Sequence, residues 1–364
     1  MKSLEISHIL RIACRSMKDD RAPTMQDIAD QAGVTRATVS MALRNHQRIS
    51  LETRQRIQQI AIDMGYRPNP MVSALMANLR ASRNDALDSS IAVIISREWD
   101  EWRGSPLVRN LDNGIVETAK SLGFGVDYFS LKDLGGNATR LSQVLFSRGI
   151  QGLIITSFLS PTIALSLEWK HFSAVMLDYS VSYPVLHRIC NNQFHTIILA
   201  MQRVLERGYR RIGMFVQRDS DARIDHAWEA GYLLSQKYIA PKDCIPPQIV
   251  PKYERESLLS WIKEVRPEVV LGESLKVRDW MRDAQVSIEF VHLQWTPESG
   301  DCAGVDQNFN LVGAAAVEAL VDMLYRNERN VPASPKTIMI EGTWRKGDAL
   351  KKSVPKNTLT EYAP

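Results

Sequence analysis

The sequence predicts a multidomain chain: a compact all-α bundle near the amino terminus, then an α/β body of two doubly wound sheets facing each other across a cleft. Three observations carry this reading. Apolar residues in the first seventy positions recur at helical spacing between capping and stop residues. Past residue 90, short apolar β-type runs alternate with helical stretches. The alternating region is also longer than one typical sheet domain. With 364 residues, 45% of them hydrophobic and 24% charged, the chain is too long for one ordinary domain and too apolar for a disordered one.

In the first unit, Leu4, Ile12 and Cys14 suggest a leading helix over 3–18 of open purpose. Thr24-Met25-Gln26-Asp27 then opens a helix with a capping threonine and an acidic residue three positions on. Ile28, Ala29 and Ala32 form its apolar face, and Gly33 ends it where a tight turn needs positive φ. A second helix from Thr35 to Leu43 turns Val39 and Leu43 inward and Arg36, Ala37, Ser40 and Met41 outward. A third starts at Ser50, with Ile57, Ile60, Ala61 and Met64 as its buried stripe and Gly65 as the stop. Three such helices with a tight first connection make a helix-turn-helix unit. The prolines of Arg67-Pro68-Asn69-Pro70 break the pattern, and 71–80 can resume a helix. The body begins with Ile91 to Ile95, an apolar run of the kind buried in parallel sheets. Strand-like runs follow at 124–130, 152–156, 174–178, 211–216, 268–272 and 288–293, with helices such as 109–121 and 194–207 between them.

Charge divides the chain in the same place. Residues 1–83 hold 13 Lys and Arg against 7 Asp and Glu, a net of +6, and the rest holds 32 against 34, a net of −2, within the overall +4. A basic head on a near-neutral body suits a polyanion binder with a separate second function, although a solvated basic face reads the same by charge alone. Cys14, Cys190, Cys244 and Cys302 lie far apart without CxxC or Cys/His pairing, so reduced structural thiols are expected, with no zinc site and no disulfide framework. No apolar run approaches the roughly 20 residues that cross a bilayer. Lys2, Glu5, Arg11 and Arg15 interrupt any signal-peptide core, so the expectation is a cytoplasmic protein without a membrane partner.

The run from Thr24 to Pro70, TMQDIADQAGVTRATVSMALRNHQRISLETRQRIQQIAIDMGYRPNP, resembles the DNA-binding headpiece of lactose-repressor (LacI) family regulators. It departs at the end of the second helix, where Arg44 stands in the usual asparagine place and Asn45 follows. Residues 204–215 (VLERGYRRIGMF) and 304–324 resemble later family segments, the second a helix leading back between subdomains. The resemblance implies that the body is a type I periplasmic-binding-protein-like sensor of two subdomains. It divides the chain into an extension at 1–23, a headpiece at 24–70, a hinge helix and linker at 71–88, an effector-binding and dimerisation domain at 89–348, and a tail at 349–364.

By the same resemblance, the second helix lies in the major groove of operator DNA. Arg36, Ala37 and Met41 match base-reading positions, with Thr35, Thr38, Ser40 and Arg44 near phosphates and Thr24 in the same DNA-facing set. A guanidinium at Arg36 can make two hydrogen bonds to guanine. Tyr66 and Arg67 would sit by the DNA backbone and Leu75 would wedge into the minor groove. Two wedges need two hinges, so the implied active form is a homodimer on a near-palindromic double-stranded site.

Ligands of open α/β sheets bind beyond the carboxyl ends of strands, which selects Arg97, Trp99, Trp102, Arg103, Asp178, Trp228, Glu273, Gln294 and Trp295 for a small-molecule effector. Rings beside hydrogen-bonding groups suit a sugar. The family pattern has arginine where this chain has Trp228, Asn-Asp where it has Glu273-Ser274, and Asp where it has Gln294. The expectation is a sugar-responsive transcriptional repressor without a cofactor or metal. The alternative is a DNA-binding dimer with no small-molecule switch, its cleft filled by Trp99, Trp102, Trp228 and Trp295. An enzyme is disfavoured: there is no P-loop, GxSxG, HExxH, or GxGxxG after a strand, and the 7 histidines are scattered.

Overall fold

The computed structural model describes residues 23–43, 49–64, 66, 90–95, 102–133, 137–156, 163–179, 181–348 and 350. The helices expected over 3–18 and 71–80, and the stop at Gly65, lie outside these. The chain forms two compact units, one within residues 1–76 and the other within 77–364.

The first unit holds helices α1 (Met25–Ala32), α2 (Arg36–Leu43) and α3 (Leu51–Asp63). Thr24 caps α1 through a reciprocal box: its backbone N–H donates to the Asp27 carboxylate at 2.7 Å, and the Asp27 amide donates to its hydroxyl at 3.4 Å. Gly33 ends α1 at φ 66°, a left-handed conformation that an L side chain adopts only with strain. Ile28, Ala29, Ala32, Val39, Ala42, Ile57 and Ala61 are buried, and Leu43, Ile60, Met64 and Tyr66 pack around them. Four of the seven buried residues are alanines, so the helices approach closely. Burying each isoleucine contributes about 1.5–3 kcal/mol.

The second unit runs through β1 (Ser90–Ile95), α4 (Pro106–Ser121), β2 (Gly125–Ser130), α5 (Ala138–Ser147), β3 (Gly152–Ile155), β4 (Ile163–Ala164), β5 (Ser173–Leu177), β6 (Val181–Tyr183) and β7 (His187–Asn191). It continues with α6 (Gln193–Glu206), β8 (Ile212–Gln217), α7 (Arg218–Ala222), α8 (Ala227–Ser235), β9 (Gln248–Val250), α9 (Arg255–Val265) and β10 (Val269–Gly272). It closes with α10 (Leu275–Asp283), β11 (Glu289–His292), β12 (Ala303–Asp306), α11 (Phe309–Arg326), β13 (Thr337–Ile340) and β14 (Thr343–Arg345). One six-stranded sheet has the order β13-β7-β5-β3-β1-β2, all parallel. The other has the order β14-β12-β11-β10-β8-β9, parallel except for β14. Strands β4 and β6 pair separately. Central strands such as β1 and β3 are buried on both faces, so they read as unbroken apolar runs.

The chain passes between the sheets three times: after β7, after β12 and after β13. The second passage returns α11 to the first sheet, where Val312, Ala316, Val317 and Leu320 join Ile91, Val93 and Ile115 in one core. Helices α4 and α11 meet backbone to backbone. A Cβ on Gly114 would lie 1.9 Å from the Asn310 carbonyl oxygen, and one on Gly313 would lie 2.2 Å from that of Leu111. Among the described residues no helix is long and apolar enough to cross a membrane.

Because backbone cannot give way as a flexible side chain does, Gly114→Ala is expected to destabilise the second unit by about 1–3 kcal/mol or more. Urea unfolding followed by tryptophan fluorescence reads this loss, and an unchanged midpoint would exclude the close approach.

Candidate DNA interface and ligand cleft

In the first unit, the turn Gly33-Val34-Thr35 aims α2. The Thr35 hydroxyl accepts the Thr38 amide at 3.1 Å and pairs with the Thr38 hydroxyl at 2.9 Å, so both residues set the start of the helix. At the other end, the Gln58 side-chain amide on α3 donates to the Ala42 carbonyl at 3.0 Å. Held at both ends, α2 turns Val39 and Ala42 into the core. It leaves Thr35, Arg36 and Ala37 exposed, with Thr38, Ser40 and Met41 half-buried beside them. Tyr66 folds back on α3, its amide donating to the Ala61 carbonyl at 2.9 Å. Burial raises its phenol above the ordinary range while the Arg36 charge pulls it down, which puts Arg36 and Tyr66 in one electrostatic neighbourhood. Thr24 is exposed at the start of α1. Arg44, Arg67 and Leu75 lie outside the described residues.

In the second unit, each passage between the subdomains leaves the carboxyl end of a strand, so the loops at those ends of both sheets face one another. Arg109, in the first turn of α4, reaches across to Glu298, which follows β11, at 3.2 Å. At the back of this cleft stands a network of side-chain amides. Asn191 Nδ2 donates to the carbonyls of Gln307 at 3.0 Å and Ile340 at 2.9 Å, joining all three passages through one side chain. The amides of Gln193 and Gln307 bond reciprocally, and Gln307 also donates to the Leu293 carbonyl at 2.9 Å.

Trp228 belongs to this network. It is 1% exposed, and its indole N–H donates to Gln193 Oε1 at 2.9 Å, so the ring is packed in the core behind the cleft. Trp102 is also buried, tilted against Tyr128 with ring centroids 5.9 Å apart. Arg103 donates to buried Asp112 at 2.5 Å, and Asp112 takes the Tyr128 hydroxyl as well. Asp178 is half-buried in a left-handed conformation, φ 66°, and its carbonyl accepts Arg188 Nε at 2.9 Å. Trp295 donates its indole N–H to the Cys302 carbonyl at 3.1 Å, with Arg345 over its ring. Gln294 is half-buried beside it. Arg97 and Trp99 lie outside the described residues.

Glu273 follows β10, where one carboxyl oxygen accepts the Gln217 amide at 3.1 Å. Its backbone is fixed from below by His292, whose Nε2 lies 3.0 Å from the Glu273 carbonyl and Nδ1 2.8 Å from the Ser299 hydroxyl. A carbonyl only accepts, so Nε2 carries the proton and Nδ1 accepts from Ser299. The imidazole is therefore neutral, and burial pushes its pKa down to about 4. Asp112, Tyr128, Gln193, Gln307 and His292 were not indicated by the sequence reading. A lone carboxylate on the apolar face of a helix, as at Asp112, is the one local signal among them. Asp221, His226 and Glu229 also converge, their ligand-type atoms within 4.8 Å of one another. Asp221 is committed locally, however, to the Glu229 amide at 3.3 Å and His226 at 3.1 Å, as at a helix start.

The two units define a class: a helix-turn-helix bundle followed along the chain by a body of two α/β subdomains. Residues 24–69 match the model of bacterial regulatory proteins, lacI family. The chain is 25% identical over 273 residues to the HTH-type transcriptional regulator GalS of Salmonella typhimurium, covering 74% of this chain and 71% of that one. It is 25% identical over 203 residues to the transcriptional repressor CytR of Escherichia coli, covering 55% of each. In fold it is similar to a lac repressor dimer bound to operator and the anti-inducer ONPF, with TM-score 0.54, 17% identity, and 91% of this chain and 99% of that one covered. It is also similar to a transcriptional regulator CelR-cellobiose complex, with TM-score 0.52, 16% identity, and 90% and 99% covered. Residues 24–69 therefore form a LacI-family DNA-binding domain, and the chain as a whole is similar to transcriptional regulators of that family.

His292 gives the sensor a pH signature. Its pKa is about 4 in the fold against 6.5 unfolded. As pH falls below 6.5 the unfolded chain takes up a proton that the native one refuses. The stabilisation is therefore complete above about pH 7 and declines toward pH 4 by up to about 3 kcal/mol. Urea titrations at pH 7.5 and 5 should show this loss, and His292→Gln should make it smaller; an equal loss in the variant would remove His292 as the cause.

Proposed function

We propose that the protein is a ligand-responsive repressor: a homodimer that binds a near-palindromic operator and is controlled by a small molecule, of the sugar class, in the cleft of its sensor. The observation that carries the DNA half is the exposed Thr35-Arg36-Ala37 face, held over a closed core by the Thr35 and Gln58 hydrogen bonds. On this reading Arg36, Ala37 and Met41 read bases, Thr24, Thr35, Thr38, Ser40 and Arg44 lie toward the backbone with Tyr66 and Arg67, and Leu75 is the minor-groove wedge. The headpiece is taken as 24–70, the hinge and linker as 71–88 and the sensor as 89–348.

The regulatory half is supported by the hinge of three amide-linked passages behind opposed strand ends. Relatives point the same way, since the similar CelR structure holds cellobiose. Effector binding shifts the balance between two subdomain arrangements, and the hinge segments of the dimer transmit the shift to the headpieces. Glu273, Gln294, Trp295, Asp178 and Arg103, with Arg97, Trp99 and Trp102, are the cleft residues of this reading. A second reading, DNA binding without a switch, is favoured by one observation: Trp228 stands where the family pattern has arginine, and its ring is spent on the core. An effector that binds the sensor yet leaves operator affinity unchanged would establish the second reading over the first.

Arg36→Ala is expected to weaken binding to an operator selected from random duplexes by about 1–3 kcal/mol and to relax preference at one guanine position. Fluorescence anisotropy of labelled duplexes at several salt concentrations measures both. Uniform weakening across all sequences would reassign Arg36 to a phosphate.

A further inference from the structure

Glu273 occupies the place where strand order reverses, since β9 and β10 flank β8 on opposite sides. A sheet of this kind opens a ligand crevice between the carboxyl ends of the diverging strands. The Gln217 amide at the end of β8 takes Oε1. The other oxygen, Oε2, is buried without a well-formed hydrogen bond, and the Tyr253 hydroxyl close to it is in the same condition. Stacking of Tyr253 on Phe215, centroids 6.0 Å apart, fixes that hydroxyl in position. Among the described residues no ion pair joins Glu273 to a cation. Burial raises the carboxyl above its usual range, and the Tyr253 and Ser220 hydroxyls, the Gln217 amide and its own amide only partly offset this. Every other carboxylate buried in the described sensor has its partners in place: Asp112 has Arg103 and Tyr128, and Asp221 has His226 and the Glu229 amide.

A buried carboxyl facing a phenol, with no countercharge, is best completed by a donor that brings positive charge. A sugar hydroxyl satisfies the oxygen but leaves burial opposing ionisation of the carboxyl. A protonated nitrogen has hydrogens for both Glu273 Oε2 and Tyr253 Oη and gives the ionised carboxylate the ion-pair partner it lacks. We propose that the cleft selects an effector carrying a protonated amine, of the amino-sugar class, through Glu273 and Tyr253. This rests on reading the cleft as the effector site, and it narrows the sugar expectation because an acid stands here where the family pattern has asparagine.

The test is isothermal titration of the full chain with matched sugars: D-glucosamine, D-glucose and N-acetyl-D-glucosamine, and the corresponding galactose set. The amine is expected to bind at least roughly tenfold more tightly than its neutral and N-acetylated counterparts. Glu273→Gln, whose side-chain carbonyl can still accept from Gln217, should keep its melting temperature and lose that preference, and Tyr253→Phe should weaken the amine alone. Neutral sugars binding as tightly as amines, or a preference that survives Glu273→Gln, would overturn amine selection and leave the sugar cleft standing. No binding by any sugar of the two sets would overturn both.

Discussion

The sensor depends on one side chain more than on any other, Asn191. Three extended stretches of chain pass between two apolar cores, and the backbone groups of each must be satisfied where water is excluded. Asn191 stands on the first passage and donates to a carbonyl on each of the other two. Its own Oδ1 accepts the Thr196 hydroxyl at 2.8 Å, so it is anchored from α6 while it holds the other strands. Gln193 and Gln307 add a reciprocal amide pair, and Asn308 ties its side chain to the Glu341 carbonyl at 2.8 Å. Amides suit this place because each offers donors and acceptors without a charge to desolvate. The three passages are thereby tied into one unit at a single side chain.

Electrostatics divide the two sides of the cleft. On the first subdomain, Arg103, Asp112 and Tyr128 form a closed set in which every polar atom that is buried has a mate, and the set seals the start of α4. On the second, His292 stays neutral and spends both ring nitrogens on positioning, one on Ser299 and one on the Glu273 backbone. That leaves the Glu273 carboxyl held in place at its backbone and at one oxygen, with Oε2 unpartnered and no cation beside it among the described residues. A closed set resists change when a solute arrives; an unmatched group in a fixed position responds to it. On the proposed reading, the response to a ligand therefore falls mainly to the second subdomain.

The parts of the fold legible in the sequence are those whose causes are local. Ile91 to Ile95, Gly152 to Ile155 and Val269 to Gly272 are buried on both faces and read as apolar runs. Thr24, Gly33 and the α2 pattern announce themselves because caps and turns are set within four residues. Strand β7, with His187 and Arg188 at its start, and strand β13, whose Ile338 and Met339 are exposed, break the rule that apolar means inside, and neither was read as a strand. The cleft was less legible for the same reason. Asp112 meets Tyr128 across 16 positions and Gln193 meets Gln307 across 114, so nothing near either residue predicts its partner. Trp228 reads as a ring for a sugar, yet α8 packs so tightly on α6 that a Cβ on Gly231 would come within 2.3 Å of Ile197, and the indole is carried into the core.

The charge division in the chain constrains how the two units share the work. Residues 1–83 carry +6 and the remainder −2, so attraction to phosphate is concentrated toward the amino-terminal part of the chain while the rest is close to neutral. That part includes a unit whose buried core, among the described residues, is seven residues, four of them alanine. A core that small supplies limited stability of its own, and any duplex that binds only its folded form stabilises it by mass action. Such a unit is sensitive to modest changes in the geometry imposed on it. A change of a few kcal/mol in the stability or docking of such a unit is enough to change duplex occupancy by orders of magnitude.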